Sequence, residues 1–370
     1  MESNLIPIHQ RHVSWSQLWQ QQQCEWRWAL KNIQRVSSLR RYRAPSAGSA
    51  IHEGVAAALK GQGISKAVQA WADEEVRQMQ FWIDTGYFGL DDDIDMVEDL
   101  VMPTIEIVDR FIGWLEPDKW DTILHPETAD PVIETAFMCE LPPFAGFLGI
   151  IDWCATERET GLTWVIDWKT RVQMIPPEAE ETNLQKCSYQ WLLGKNGIQT
   201  DGSKICQIWR DPMKTPKTNQ NGSLSRAAIR TTWEVYRSEI ERKELDVMDY
   251  TDMMEKCNPI EDFYRWSTSH RSPQEVHNTW WEVVVPRAER IAEMCFNAES
   301  EVERYPAPKR ALGSAECPRC WARDTCLELL RGRDLEDAMM SSGLIKKPYT
   351  PLLPSEQPPD EAFEMEGESK

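Results

Sequence analysis

The sequence predicts an α/β fold built around one central sheet, and three observations carry that expectation. Three apolar, strand-like runs follow one another closely at 132–140, 146–153 and 162–169. A helical pattern at 183–193 then leads into a further strand at 204–210. Helical periodicity dominates the 130 residues before these runs and the stretch after residue 238. The core order is therefore helix–three strands–helix–strand, with helical additions at both ends.

Each element has a local reason. Residues 14–33 read as an amphipathic helix capped by Ser14 and carrying Cys24. Residues 35–46 form a basic connector. The alanine-rich run 47–59 is a helix ended by Gly61, and it holds His52. Helical patterns continue over 64–83 and 91–115. Asp91, Asp92 and Asp93 suit the positive end of the latter helix, and Pro103 bends or splits it. The polar gap between the strands at 146–153 and 162–169 is short enough for a hairpin. Residues 229–236 look like an added strand, and 239–257 and 273–298 like long helices. From Gly343 the chain is rich in proline and acid and too poor in apolar residues to order itself. These boundaries divide the chain into an N-terminal helical region (1–130), a core of sheet and helix (131–237), C-terminal helices with a cysteine cluster (238–342) and a disordered tail (343–370).

The 370 residues carry 60 acidic against 41 basic side chains, a formal charge of −19, which argues against a protein that simply coats DNA. The charge is uneven. Nine acids and three lysines follow residue 333, and six more acids lie in 91–99. Five basic residues and no acid lie in 31–43, and four and none in 214–230, so local patches remain to meet phosphate. No G-x-x-x-x-G-K-[ST] loop occurs, so there is no recognisable ATPase motor. The first ten residues lack an apolar segment and no run approaches membrane-spanning length, so a soluble, cytoplasmic protein with no membrane partner is expected. Most of the eighteen tryptophans should pack the core, with one or two near a cleft, Trp168 above all, free to stack on unpaired bases.

The chemistry concentrates in 149–189. Asp152 ends one apolar run, and Asp167 and Lys169 lie two apart in the next, so both project from one face of a strand. Folding the hairpin brings the two carboxylates together beside the ammonium. Such a pair makes a hard-oxygen site for Mg²⁺ or Mn²⁺, and the lysine suits a phosphate or a nucleophilic water. Gln185 and Tyr189 are four apart and share a helical face.

Gly149-x-x-Asp152, Asp167-x-Lys169-Thr170 and Gln185-x-x-x-Tyr189 together resemble the motifs of the PD-(D/E)XK nuclease superfamily, RecB-like branch. That branch carries a histidine on a preceding helix, and His52 in SAIHEGVAAAL supplies it. The resemblance implies that Asp152, Asp167 and the Trp168 carbonyl ligate the cation, with His52 as a further ligand or a positioning group. Lys169 would activate the water or neutralise the phosphate, and Gln185 and Tyr189 would hold the strand. Glu134 and Glu140 are possible extra acids.

Cys317-Pro-Arg-Cys320-x₅-Cys326, with Cys24 far upstream, implies thiolate ligation of a metal. Four thiolates suit zinc or an iron–sulfur cluster. The spacing resembles the iron–sulfur staple of RecB-like nucleases, including the AddB nuclease domain and CRISPR-associated exonucleases. That resemblance implies a 4Fe–4S cluster closing the two ends of the chain round the core, with Zn²⁺ as the alternative. The other six cysteines (Cys139, Cys154, Cys187, Cys206, Cys257 and Cys295) are scattered and read as reduced core thiols.

The combined expectation is a metal-dependent DNA exonuclease acting in recombination, repair or DNA processing, in a bacterial cell or phage-infected host. Its partners would be DNA ends and a recombinase or helicase. The alternatives are a nonspecific or flap endonuclease of the same fold, and a DNA-binding adaptor subunit with a structural cluster.

Overall fold

Residues 146–157 are apolar on both faces, and they become the spine of the molecule. The computed structural model describes residues 8–87, 89–300, 307–311, 317–342 and 344–346. The strands are β1 (His12–Val13), β2 (Val36–Ser38), β3 (Trp120–Thr122), β4 (Ile133–Cys139), β5 (Gly146–Glu157), β6 (Thr163–Arg171), β7 (Gly202–Trp209), β8 (Tyr264–Ser269) and β9 (Leu344–Lys346). β2 and β9 pair with each other, and the other seven form one mixed sheet.

The register along β5 decides where the sheet opens. Phe147 pairs with both Cys139 of β4 and Val13 of β1, and Trp153 with both Ile133 of β4 and Ile166 of β6. β1 and β6 therefore lie along the same edge of β5, at its two ends. Between them, residues 148–152 have no strand partner on that edge among the described residues. β5 and β6 pair only from Trp153–Ile166 to Thr156–Thr163 and then part. β6 runs on parallel to β7, which pairs antiparallel with β8.

The pleat is also interrupted at this level. Glu134 has φ 47°, the left-handed region that a side chain with a Cβ seldom occupies. Ile151 packs in one core and Trp153, two residues on, in the other; Phe137 and Ile133 divide in the same way. Strict alternation would have kept each pair on one face.

The helices are α1 (Trp15–Gln23), α2 (Glu25–Asn32), α3 (Arg43–Leu59), α4 (Ile64–Asp84), α5 (Asp91–Asp99), α6 (Val101–Leu115), α7 (Pro177–Glu180), α8 (Gln185–Lys195), α9 (Trp233–Arg242), α10 (Pro273–Thr279), α11 (Val285–Ser300), α12 (Arg323–Leu330) and α13 (Leu335–Ser341). Leu18, Leu192, Trp280, Val284 and Phe147 join α1, α8 and the α10–α11 rod to one face of the sheet. Ile51 and Val55 of α3 and Val108 and Phe111 of α6 meet Trp153, Ile166 and Trp168 on the other. Burying one side chain such as Phe111 stabilises the fold by about 1.5–3 kcal/mol. No helix among the described residues is long and apolar enough to cross a membrane.

Several expectations are corrected. The helix at 14–33 breaks at Cys24, whose backbone is extended (φ −166°, ψ 106°). The break in 91–115 falls at Leu100; Pro103 sits in the first turn of α6, where a missing N–H costs little. Residues 229–236 do not form a strand: the Thr232 side chain caps the Val235 N–H and starts α9 instead. The strand beside β7 is β8, whose polar sequence YRWSTS gave no signal. The helix expected at 239–257 ends at Arg242, and a 3₁₀ turn follows at Val247–Met253. The run 273–298 is helical throughout but contains a π turn, Trp280–Val284. The region before residue 130 also contributes strands: β1 and β3 join the main sheet. Leu344–Lys346 is a strand with Leu344 and Ile345 buried, where a disordered tail was expected to begin. The rest of that tail, 347–370, lies outside the described residues.

Candidate active site

Alternation along β6 sends Trp164, Ile166 and Trp168 into the α3–α6 core and leaves Asp167 and Lys169 on the α8 side, where Asp167 lines a small cavity with Gln185 and Tyr189. Because β5 has parted from β6 here, the Trp168 N–H donates to Asp152 Oδ2, at 2.8 Å, in place of a ladder bond. The gap admits side chains from both covering layers. His52 reaches in from α3, and Gln185 and Tyr189 from α8.

His52 is held at both nitrogens. Nε2 donates to the Trp168 carbonyl at 3.1 Å, and Nδ1 lies 3.1 Å from Glu134 Oε1 and 3.7 Å from Asp152 Oδ2. A carbonyl and a carboxylate only accept, so both nitrogens carry protons here. Burial alone would lower the His52 pKa. The charges of Asp152 and Glu134 outweigh it and push the value up to about 9. Asp152 is pushed up to about 7 by burial and by the charge of Asp167, partly offset by His52.

Lys169 Nζ donates to Asp167 Oδ1 at 2.8 Å. It also lies 2.7 Å from Oδ2, but that oxygen is buried and accepts no hydrogen bond. Burial would lower the Lys169 pKa, yet the charges of Asp167 and Asp152 raise it, so the group is a firm ammonium. Gln185 Nε2 donates to the Tyr189 hydroxyl at 2.9 Å, and burial and the charges of Asp167 and Asp152 raise the Tyr189 pKa. Gly149 allows this packing: a Cβ there would come 2.7 Å from Leu192 Cδ2 and 3.0 Å from Tyr189 Cε1.

The structure thus gathers His52, Asp152, Asp167, Lys169, Gln185 and Tyr189 round one opening. It differs from expectation at Trp168. The ring is buried, stacked 5.8 Å from Trp153 and edge-on to Phe111, so it is not free to stack on a base. Its carbonyl accepts from His52 Nε2 and keeps a second lone pair. Of the two extra acids, Glu140 is exposed beyond β4, while Glu134 stands opposite Asp152 and completes a group with it and His52 whose ligand atoms lie within 4.8 Å of one another. Strand register was the signal for Glu134.

The basic patches are partly spent. Arg40 pairs with Asp93 and Arg41 with Glu75, and Arg230 stacks on Trp209. No disulfide joins any of the ten cysteines. Cys24, at the α1–α2 break, lies near the C-terminal segment: Trp26 N donates to Lys309 O, and Arg290 pairs with Glu25 at 2.9 Å. Burial raises the Cys326 pKa, Arg310 opposes this, and the charges of Cys24, Cys320 and Cys317 raise it further.

A family model described as the PD-(D/E)XK nuclease superfamily matches residues 12–327. The chain belongs to that superfamily. The match runs from β1 into α12 and takes in the carboxylates and the four cysteines. No curated protein matches the chain. PD-(D/E)XK nucleases use Mg²⁺ or Mn²⁺, and the donor set fits a hard cation: carboxylate oxygens from Glu134, Asp152 and Asp167, and His52 Nδ1 once deprotonated. The clearest sign of fit is the grouping of His52, Glu134 and Asp152, whose ligand atoms lie within 4.8 Å of one another.

Proposed function

We propose that this PD-(D/E)XK nuclease is a DNA exonuclease whose centre is the gap between β5 and β6. One observation carries the reading: where residues 148–152 lack a strand partner on one edge among the described residues, His52, Glu134 and Asp152 bring their ligand atoms within 4.8 Å of one another, with the Asp167–Lys169 pair on the neighbouring strand. A cation held by Asp152, Asp167, Glu134 and His52 Nδ1 would polarise the scissile phosphate and lower the pKa of the attacking water. Lys169 is a firm ammonium, so its role is to neutralise charge developing on the phosphate oxygens, and it does not take the proton of the water. Trp168 orients both neighbours, its N–H holding Asp152 and its carbonyl holding the His52 ring. Gln185 and Tyr189 position the strand.

An end-dependent activity is favoured by confinement, since the space in front of Lys169 is walled by α1, α8 and α11. Unwinding would come from a helicase or recombinase partner, in the cytoplasm of a bacterial or phage-infected cell. We read Cys24, Cys317, Cys320 and Cys326 as ligands of a 4Fe–4S cluster, with zinc the alternative. Their support is the spacing of the motif and the joining of the chain's ends beside Cys24, where Trp26 N donates to Lys309 O. Purified protein with Mn²⁺ should degrade linear labelled DNA and spare closed circles, and Asp167→Ala should not degrade either. Cleavage of circles at the same rate would assign an endonuclease, and no cleavage of any DNA would remove the nuclease reading. Metal analysis of protein purified without oxygen should find iron and sulfide; stoichiometric zinc without them would overturn the cluster.

A further inference from the structure

The cleft in front of Lys169, about 610 Å³ in volume, has a composition that the chain as a whole lacks. The protein carries a formal charge of −19, yet the described residues lining this cleft include two cations, Lys169 and Arg287, and no acid. α1 presents Trp15, Trp19 and Gln22 to it, spaced to fall on one helical face. Trp15 is buried, with the Arg287 guanidinium 5.9 Å from its ring, whereas Trp19 is 50 % exposed. Trp19 thus offers an indole face open to solvent beside a cationic cleft, whereas Trp281, 53 % exposed, does not line it.

Arg287 is the second observation. Among the described residues its Nη1 is shielded from solvent and has no hydrogen-bond partner. Burial lowers its pKa. A half-buried cation with an unbonded N–H is satisfied by an anion from outside the chain, and a planar guanidinium suits phosphate. The cleft is continuous with the proposed centre through Lys169 and Gln185.

We infer that this cleft is a channel for an unpaired strand, in which Trp19 stacks on a base and Arg287 holds a backbone phosphate beside the one that is cleaved. The inference rests on the nuclease reading and names its substrate form. Stacking on an aromatic ring needs a free base face, which a duplex interior does not offer, so single-stranded ends are the ligand.

The test is binding of fluorescent oligo-dT and of a blunt duplex to the full-length protein in EDTA, where a metal-dependent nuclease does not cut. Trp19→Ala should weaken oligo-dT binding about tenfold, Trp19→Phe should restore most of it, and duplex binding should change little. Arg287→Gln should weaken oligo-dT binding and flatten its salt dependence by roughly 0.7 in log–log slope. Unchanged affinity in Trp19→Ala, or equal loss for duplex and single strand, would overturn the channel. Cleavage by the wild-type protein with Mn²⁺ is scored separately. If the protein cuts DNA and Trp19 is indifferent, the channel alone fails; if it cuts nothing, the nuclease reading fails.

Discussion

At the carboxylate centre each group is fixed by a neighbour within the same opening. Asp152 is held by the Trp168 N–H, His52 by Glu134 and the Trp168 carbonyl, and Asp167 by Lys169. At the cysteine site the segments are tied by other residues, such as Glu25 with Arg290, while Cys24 Sγ sits 3.9 Å from Lys309 O and Cys317 Sγ donates to Ala311 O at 3.1 Å. The first site is preorganised on strands and one helix and needs an ion only to complete it. The second joins parts far apart in sequence, so whatever binds there contributes to holding the fold.

Substitutions should divide along that line. Asp167→Asn, Asp152→Asn or Lys169→Met should each lower kcat by about a thousandfold in a cleavage assay, with the protein still folded. An Asp167→Asn enzyme as active as the parent would break the comparison at its stronger end. Cys326→Ser or Cys24→Ser should act the other way, lowering stability by more than about 4 kcal/mol while activity falls only with the folded fraction. Thermal unfolding of anaerobic protein measures this, and an unchanged Tm would make the thiols bystanders.

A pH series sharpens the contrast. Without metal, His52 titrates near 9 against an ordinary 6.5, and Asp152 near 7 against 3.8, so the folded state holds both protons more tightly than the unfolded chain. Their contributions are complete below 6.5 for His52 and below 3.8 for Asp152, and they are lost as pH rises through 9 and 7 respectively. Ion binding replaces those protons, so the rise in Tm caused by Mg²⁺ should be larger at pH 9 than at pH 6, and His52→Gln should flatten the difference. A Mg²⁺ effect independent of pH would show that the ion binds elsewhere. Smallest of all, Gly149→Ala should cost about 1–3 kcal/mol by overpacking against Leu192 and Tyr189. It should also reduce cleavage, through the displaced Tyr189.

The parts that could be read from sequence are those in which a local rule and the tertiary structure agree. Asp167 and Lys169 obey strand alternation, and Gln185 and Tyr189 obey helical spacing, so their grouping was legible. Glu134 was only half legible: its register faces Asp152, but nothing in a non-glycine residue announces a left-handed backbone. The residues TTWEVY are rich in β-branched and aromatic side chains and read as a strand, until the Thr232 cap tipped them into helix. Trp19 was hidden for a different reason. A tryptophan on an amphipathic helix reads as core, and only the placement of α11 opposite α1 shows which one stays exposed.

The π turn at Trp280–Val284 has a consequence for how such a cleft can arise. A π turn takes up one more residue than an α turn, so the helix beyond it is rotated by about 100° relative to an uninterrupted one. Arg287 follows three residues later. In evolutionary terms, one inserted codon is enough to swing an outward-facing arginine into the space opposite Trp19, without altering any side chain of the centre itself. The length of this helix is therefore as much an inherited determinant of substrate grip as the identity of the residues along it, and deleting one residue within the turn would aim Arg287 away from the strand.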